Sequence, residues 1–326
     1  MCVSRPRSAK VPVQSGPPPI RGSATNQPSD LSLRRGIVKS MARVFPAPLL
    51  AFCAVLLAQA PKLPDISYDP KAPLEFQHSP VEDLGFAKLL DISYVSPRGG
   101  RVNAYAVIPG GVAHPAGIVW QHWGQGDRSS MLPEAISMAR RGAASILINS
   151  PANRPNAPQA KTPEEGLALW LQDAVDIRRA VDALVQNYGV PVTALAYVGH
   201  SYGATLGGVV AVGERRFRAL VLIGGFASLS ESILHPKTGS PGDKHLVEVY
   251  AAIDAERFIG QAAPAALFLQ FARYDRFITE EQANRYAKAA SMPKLVRWYD
   301  CGHEFNDAQS TADREDWLAQ QLSLTR

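Results

Sequence analysis

Cysteine is scarce in this 326-residue chain, with only Cys2, Cys53 and Cys301. The body beyond residue 60 holds Cys301 alone, so no disulfide can form within it and the fold must rest on a hydrophobic core. There is no C-x-x-C, no H-E-x-x-H and no cysteine–histidine cluster. Those absences exclude the common zinc frameworks, and no metal or cofactor is expected. The main apolar run, residues 46–58, is too short for an ordinary membrane-spanning helix, so no stable membrane span is expected. No internal repeat occurs. A basic body is missing too. Eight of the 34 Lys/Arg and one of the 29 acids fall in residues 1–60, so that segment carries +7 and the remainder −2. A near-neutral body with no basic stripe argues against a nucleic-acid partner.

Residues 1–40 are rich in Pro, Ser, Arg and Gly and poor in apolar side chains, the composition of a disordered basic tail. From Met41 the character changes. A short basic start, an apolar run and Ala58-Gln59-Ala60 read as a secretory signal peptide over 41–60. Met41 is then a candidate start of translation, and a secreted or periplasmic location is expected. Pro61 directly after the A-x-A site opposes cleavage there. Residues 61–84 are expected to form an N-terminal arm.

The body, 85–326, alternates strand-like and helix-like runs. Residues 89–95 and 101–108 read as a hairpin, joined by Ser96-Pro97-Arg98-Gly99-Gly100. Further strands are expected at 117–121, 144–149, 193–198, 219–223, 265–271 and 295–299. Helices are expected at 130–141, 162–188, 202–212, 279–291 and 308–322. Two of these open with capping boxes, Thr162-Pro163-Glu164-Glu165 and Thr279-Glu280-Glu281-Gln282. In the long helix, Trp170, Ala174, Ile177, Val181 and Leu184 share one face. Asp173, Asp176, Arg179 and Asp182 are expected on the surface. Residues 225–262 have weak periodicity and read as a short lid insertion. The pattern predicts a mostly parallel twisted sheet with helices on both faces, begun by an antiparallel hairpin.

Gly199-His200-Ser201-Tyr202-Gly203-Ala204 follows the strand at 193–198 and opens a helix. G-x-S-x-G in that setting is a nucleophile elbow, with Ser201 held at the corner. A serine hydroxyl needs a base, and the base needs an orienting carboxylate. His303, in Cys301-Gly302-His303-Glu304, follows the last strand, and Asp275, in Arg273-Tyr274-Asp275, follows the strand before it. Asp300 and Glu304 are rival acids, and His200 and His122 rival bases. Cys301 reads as a small loop residue, because Ser201 holds the elbow. The oxyanion requires two donors. The Tyr202 N–H is one; Gly124 or Trp123, after the strand at 117–121, supplies the other. Trp123, His122 and Tyr202 are candidate substrate-binding residues.

With these residues in place, the chain resembles the α/β-hydrolase superfamily over about residues 85–323. Within it, the similarity is to bacterial serine esterases and to dienelactone-hydrolase-like or prolyl-oligopeptidase-like catalytic domains. It rests on the elbow, His122-Trp123-Gly124, Asp275, Gly302-His303 and Asp254-Ala255-Glu256-Arg257-Phe258-Ile259. Dienelactone hydrolase itself carries cysteine where Ser201 stands. The roughly 85 residues before the body are too few for the propeller of an oligopeptidase. The resemblance implies the α/β-hydrolase fold and a Ser201–His303–Asp275 triad acting on a small-molecule carboxylic ester. An amidase or small peptidase with the same triad, and a non-catalytic binding protein on the same fold, are the other readings.

Overall fold

Strands covered by helices on both faces must be apolar on both faces, and the central strands of this chain meet that demand. The computed structural model describes residues 61–232 and 241–324. The elements in chain order are β1 (Gln77–Asp83), β2 (Ala87–Val95), β3 (Arg101–Pro109), β4 (Ala116–Gln121), α1 (Leu132–Arg140) and β5 (Ala143–Ile148). There follow α2 (Pro163–Tyr188), β6 (Leu195–His200), α3 (Tyr202–Gly213), β7 (Phe217–Ile223), α4 (Leu229–Ser232) and α5 (Pro241–Tyr250). The chain continues through β8 (Ala266–Ala272), α6 (Glu280–Ala289), β9 (Lys294–Tyr299) and α7 (Ala308–Leu322). Of the central strands, β4, β5 and β6 are buried throughout, and β7 exposes only Arg218.

One nine-stranded sheet runs in the order β1-β2-β3-β5-β4-β6-β7-β8-β9. The pairs from β1 to β5 through β3 are antiparallel, and those from β5 to β9 are parallel. One face packs against α2, α3 and α6, the other against α1 and α7. The C-terminal ends of β4, β6, β8 and β9 therefore share one edge, where open α/β sheets bind ligands. This is the α/β architecture the alternation predicts.

The helix boundaries follow local chemistry. Thr162 Oγ1 accepts the Glu165 N–H, with Pro163 at the first helical position. Gly189 ends α2 with φ 65°, a left-handed conformation that costs glycine least. Thr279 Oγ1 likewise accepts the Gln282 N–H at the start of α6. Asp307, not foreseen as a cap, accepts the Gln309 and Ser310 N–H groups ahead of α7.

Two expectations are corrected. Strand β1 lies inside the stretch expected to be an arm. All seven of its residues are exposed, it contains Pro80, and it sits at the sheet edge, so it has no buried face to leave a period-two signal. Asp173, Asp176, Arg179 and Asp182, expected on the surface, are buried. The arm covers that side of α2 with polar groups as well as with apolar ones such as Ile66 and Leu74. Tyr68 donates to Asp182 at 2.8 Å, and Arg179 donates to the Ala72 carbonyl at 2.9 Å and to Asp182 at 2.8 Å. Arg216 reaches the other Asp182 oxygen at 2.7 Å. Arg154 pairs with Asp176 at 2.6 Å. A charged helix face can be an interior face when its partners are supplied from distant segments.

Residues 225–262 contain α4, α5 and three short 3-10 turns between Ala251 and Gln261. The buried Asp254 carboxylate ties its base together, accepting from the Ser228 and Ser230 hydroxyls and the Ser230 N–H. The expected tail and signal segment, 1–60, lie outside the described residues.

Candidate active site

The elbow begins with two close approaches. A Cβ on Gly199 would lie 2.5 Å from the Gly203 backbone, and one on Gly203 would lie 2.5 Å from the Gln121 carbonyl oxygen. Only glycine lets β6 turn into α3 so tightly. Between them Ser201 has φ 52° and ψ −100°, a strained conformation for a residue with a side chain. The Ser201 N–H is held by the Ile223 carbonyl at 2.7 Å, and the Thr205 hydroxyl donates to the Ser201 carbonyl at 2.9 Å. The corner is thus fixed from both sides.

Two further strand ends deliver the other two groups. The loop after β9 places His303 Nε2 2.7 Å from Ser201 Oγ. The turn after β8 places Asp275 Oδ2 2.8 Å from His303 Nδ1. The carboxylate fixes the tautomer: Nδ1–H donates to Asp275, leaving Nε2 free to accept the serine hydroxyl. Burial pushes the Asp275 pKa up, but the bonds from His303, Ile278 N–H and Phe277 N–H outweigh it and hold the group below its ordinary value. Phe277 packs edge-on to the imidazole, centroids 4.9 Å apart.

The rival acids are engaged elsewhere. Asp300 pairs with Arg273 at 3.0 Å and Glu304 with Arg276 at 2.9 Å. His200 donates from Nε2 to the His303 carbonyl at 2.8 Å, so it braces the loop that carries the imidazole. Cys301 is half-buried, and burial raises its thiol pKa, which disfavours the thiolate.

Behind the serine, the loop after β4 meets the elbow. His122, expected to touch substrate, is 2% exposed with both ring nitrogens used internally. Nε2 accepts the Ser150 N–H at 3.2 Å, which leaves Nδ1–H to donate to the Trp123 carbonyl at 2.5 Å. Burial lowers its pKa, consistent with a neutral ring. Holding the Trp123 carbonyl inward turns the Gly124 N–H to the opposite side of a trans peptide. The space beside Gly124 is open, with nothing within 4 Å of a Cβ built there. Tyr202 opens α3, so its N–H has no acceptor inside the helix. Its ring packs on Trp170, centroids 4.1 Å apart, and forms no wall of the cavity over Ser201.

That cavity has a volume of about 380 Å³. Trp123, Gly124, Ser201, Phe277 and His303 are among its walls. Gln125, Arg276, Glu304 and Asn306 also border it, and sequence reasoning passed over them as lining. Their signal was position: each lies within three residues of a strand-end residue already chosen. Among the described residues, none of 225–262 lines this cavity. No cluster among the described residues could hold a metal ion, and none of their helices is long and apolar enough to cross a membrane.

No family model matches the chain, and no curated protein sequence matches it significantly. Solved structures do match in fold. An acetyl xylan esterase from Paenibacillus sp. R4 is 18% identical, with TM-score 0.66 over 76% of this chain and 89% of that one. Acetyl xylan esterase 1 from Thermoanaerobacterium sp. JW/SL YS485 is 13% identical, with TM-score 0.66 over 76% and 88%. A prolyl endopeptidase is 17% identical, with TM-score 0.58 over 75% of this chain and 40% of that one. The fold is therefore that of the α/β hydrolases.

Proposed function

We propose that this chain is a serine hydrolase that cleaves carboxylic esters through an acyl-enzyme. The observation that carries the reading is the unbroken chain of bonds from Asp275 through His303 to Ser201, ending at an open cavity. Ser201 Oγ attacks the ester carbonyl carbon while His303 Nε2 takes its proton. The bond to the alcohol oxygen then breaks, and Nε2 returns the proton to the departing alcohol. Water attacks the acyl-enzyme with Nε2 again as base, which releases the acid and restores the serine. Asp275 holds the imidazolium in place. The Tyr202 and Gly124 N–H groups receive the oxyanion, and Trp123 supplies an apolar wall.

Ser201→Ala is expected to lower p-nitrophenyl acetate turnover by about 10⁴-fold or more, with an unchanged circular-dichroism spectrum. Full activity in that variant would remove the assignment. The prolyl endopeptidase among the fold neighbours motivates a second reading, amide cleavage by the same groups. Matched p-nitrophenyl ester and p-nitroanilide substrates separate the two. Labelling of Ser201 by a fluorophosphonate separates both from a non-catalytic binding protein. We also propose export directed by residues 41–60; amino-terminal sequencing of the mature protein tests it.

A further inference from the structure

His200 stands next to Ser201 in the chain, yet the triad makes no use of its second ring nitrogen. The residue is only 5% exposed. It nevertheless lines both the cavity over Ser201 and a neighbouring one of about 620 Å³ between α1 and α7. Trp123, His200, Glu304 and Asn306 border both, so the two are lobes of one groove with His200 at the junction. The ring is held edge-on by Trp123 and Phe305, with centroids 5.3 and 5.6 Å away.

Its tautomer follows from one contact. Nε2 lies 2.8 Å from the His303 carbonyl oxygen, which can only accept, so Nε2 carries the hydrogen. Burial brings the pKa down to about 4, with the His303 ring and Arg314 also opposing a positive charge, so the ring is neutral at pH 7. Nδ1 is then a bare lone pair. It has no hydrogen-bond partner in the protein, and it is not among the atoms sealed from solvent. A neutral acceptor thus faces the groove beside the nucleophile.

The second lobe sets polar groups among apolar walls, which include Trp123, Met131, Pro133, Ile223 and Phe305. Ser130, Thr311 and Asn306 border it, with four carboxylates, Glu134, Glu304, Asp307 and Glu315, against one arginine, Arg314. Arg314 is itself held by both Glu134 oxygens at 2.6 Å. Glu304 is in turn paired with Arg276 at 2.9 Å and Glu315 with Arg141 at 3.8 Å, so the wall offers acceptors while its charges are largely balanced.

We propose that His200 binds substrate: its Nδ1 accepts a hydrogen bond from a free hydroxyl on the alcohol half of the ester. The second lobe holds the rest of a neutral, polyhydroxylated alcohol. This rests on the ester-hydrolase reading of Ser201 and narrows it. An alcohol without that hydroxyl leaves Nδ1 dry and unpaired when the lobe fills, and sites built for a hydroxyl reject analogues lacking it.

The test compares 2-hydroxyethyl acetate with n-propyl acetate, which differ by a hydroxyl in place of a methyl. The kcat/KM ratio is divided by the same ratio for hydroxide hydrolysis, because the glycol is the better leaving group. The native protein is expected to prefer the hydroxylated ester by roughly tenfold. His200→Phe keeps an aromatic ring against Trp123 and Phe305 but has no acceptor, and is expected to bring the ratio to about one. Losing the bond to the His303 carbonyl lowers turnover of both esters, which the ratio cancels. Ala312→Trp, on the exposed side of α7 that borders the lobe, provides an independent arm. It is expected to reduce the preference for glucose 6-acetate over n-propyl acetate. A native ratio near one with n-propyl acetate still cleaved, or an unchanged ratio in His200→Phe, overturns this proposal alone. No turnover of either ester together with no fluorophosphonate labelling overturns the hydrolase reading as well.

Discussion

Two buried aspartates mark two regions of this molecule with opposite electrostatics. At the strand ends, the Asp275 side chain is 2% exposed and receives three N–H donors, from His303, Phe277 and Ile278. On α2, Asp173 is 0% exposed and neither of its oxygens has a hydrogen-bond partner. The Tyr202 hydroxyl is close enough to favour its charge but not to bond it. Burial raises the Asp173 pKa to about 7, opposed by Arg154 and reinforced by Asp176. Tyr197 and Tyr94 also face it, and both are kept in the neutral form by burial. The two carboxyls are thus shifted in opposite directions: Asp275 has donors that favour its charge, and the more deeply buried Asp173 has none. The first region holds a carboxylate that orients the His303 ring. The second tolerates an acid that resists ionisation.

The sharpest way to break the contrast is Asp275→Asn. The amide still meets the imidazole but favours the wrong tautomer, so kcat is expected to fall by about 10³- to 10⁴-fold with the fold retained. Steady-state kinetics with a p-nitrophenyl ester measures it. Asp182→Ala comes next. It strips Arg179, 1% exposed, of its carboxylate, removes the acceptor of the Tyr68 hydroxyl and leaves Arg216 with Glu214 alone, at an expected cost of about 3–5 kcal/mol in urea unfolding.

Asp173→Asn should act in the other direction. The folded-state pKa of Asp173 lies above its unfolded value. Its favourable contribution is complete below about 3.8 and is lost as pH rises through about 7. The variant is expected to be more stable by about 2–4 kcal/mol at pH 8, with little difference at pH 4. Urea midpoints at the two values check it, and an equal change at both would contradict ionisation of a buried carboxyl as the cause. Asp275 has the reverse sign: its pKa is lowered on folding, so its contribution is present at neutral pH and is lost on acidification through the folded-state value. The smallest effect expected is Thr162→Ala, about 1 kcal/mol of thermal stability from the lost cap of α2.

These regions also differ in how much of them was legible in the chain. Ser201, His303 and Asp275 were readable because each follows a strand-like run and carries a residue type the chemistry requires. Thr162, Thr279 and Gly189 were readable because capping is local. The polar face of α2 was not readable. Asp173 and Asp182 look like solvated positions until the arm, more than 100 residues earlier in the chain, lies over Asp182. Strand β1 escaped for a related reason: an edge strand with every residue exposed needs no apolar alternation. His122 was assigned to substrate because it sits at a strand end, but the Ser150 N–H and the Trp123 carbonyl take both its nitrogens.

The sequence by itself determined the alternation of strands and helices from β2 onward, apart from residues 225–262, together with the elbow and the residue types available at the strand ends. Periodicity, capping and glycine conformation act over a few residues, so they are written locally. Only the tertiary structure decided which charges are interior, which ring nitrogens remain free, and how Trp123 and Phe277 wall the cavity. Those outcomes depend on solvent exclusion and hydrogen bonds between segments far apart in the chain, and no local pattern encodes what will cover a given side chain.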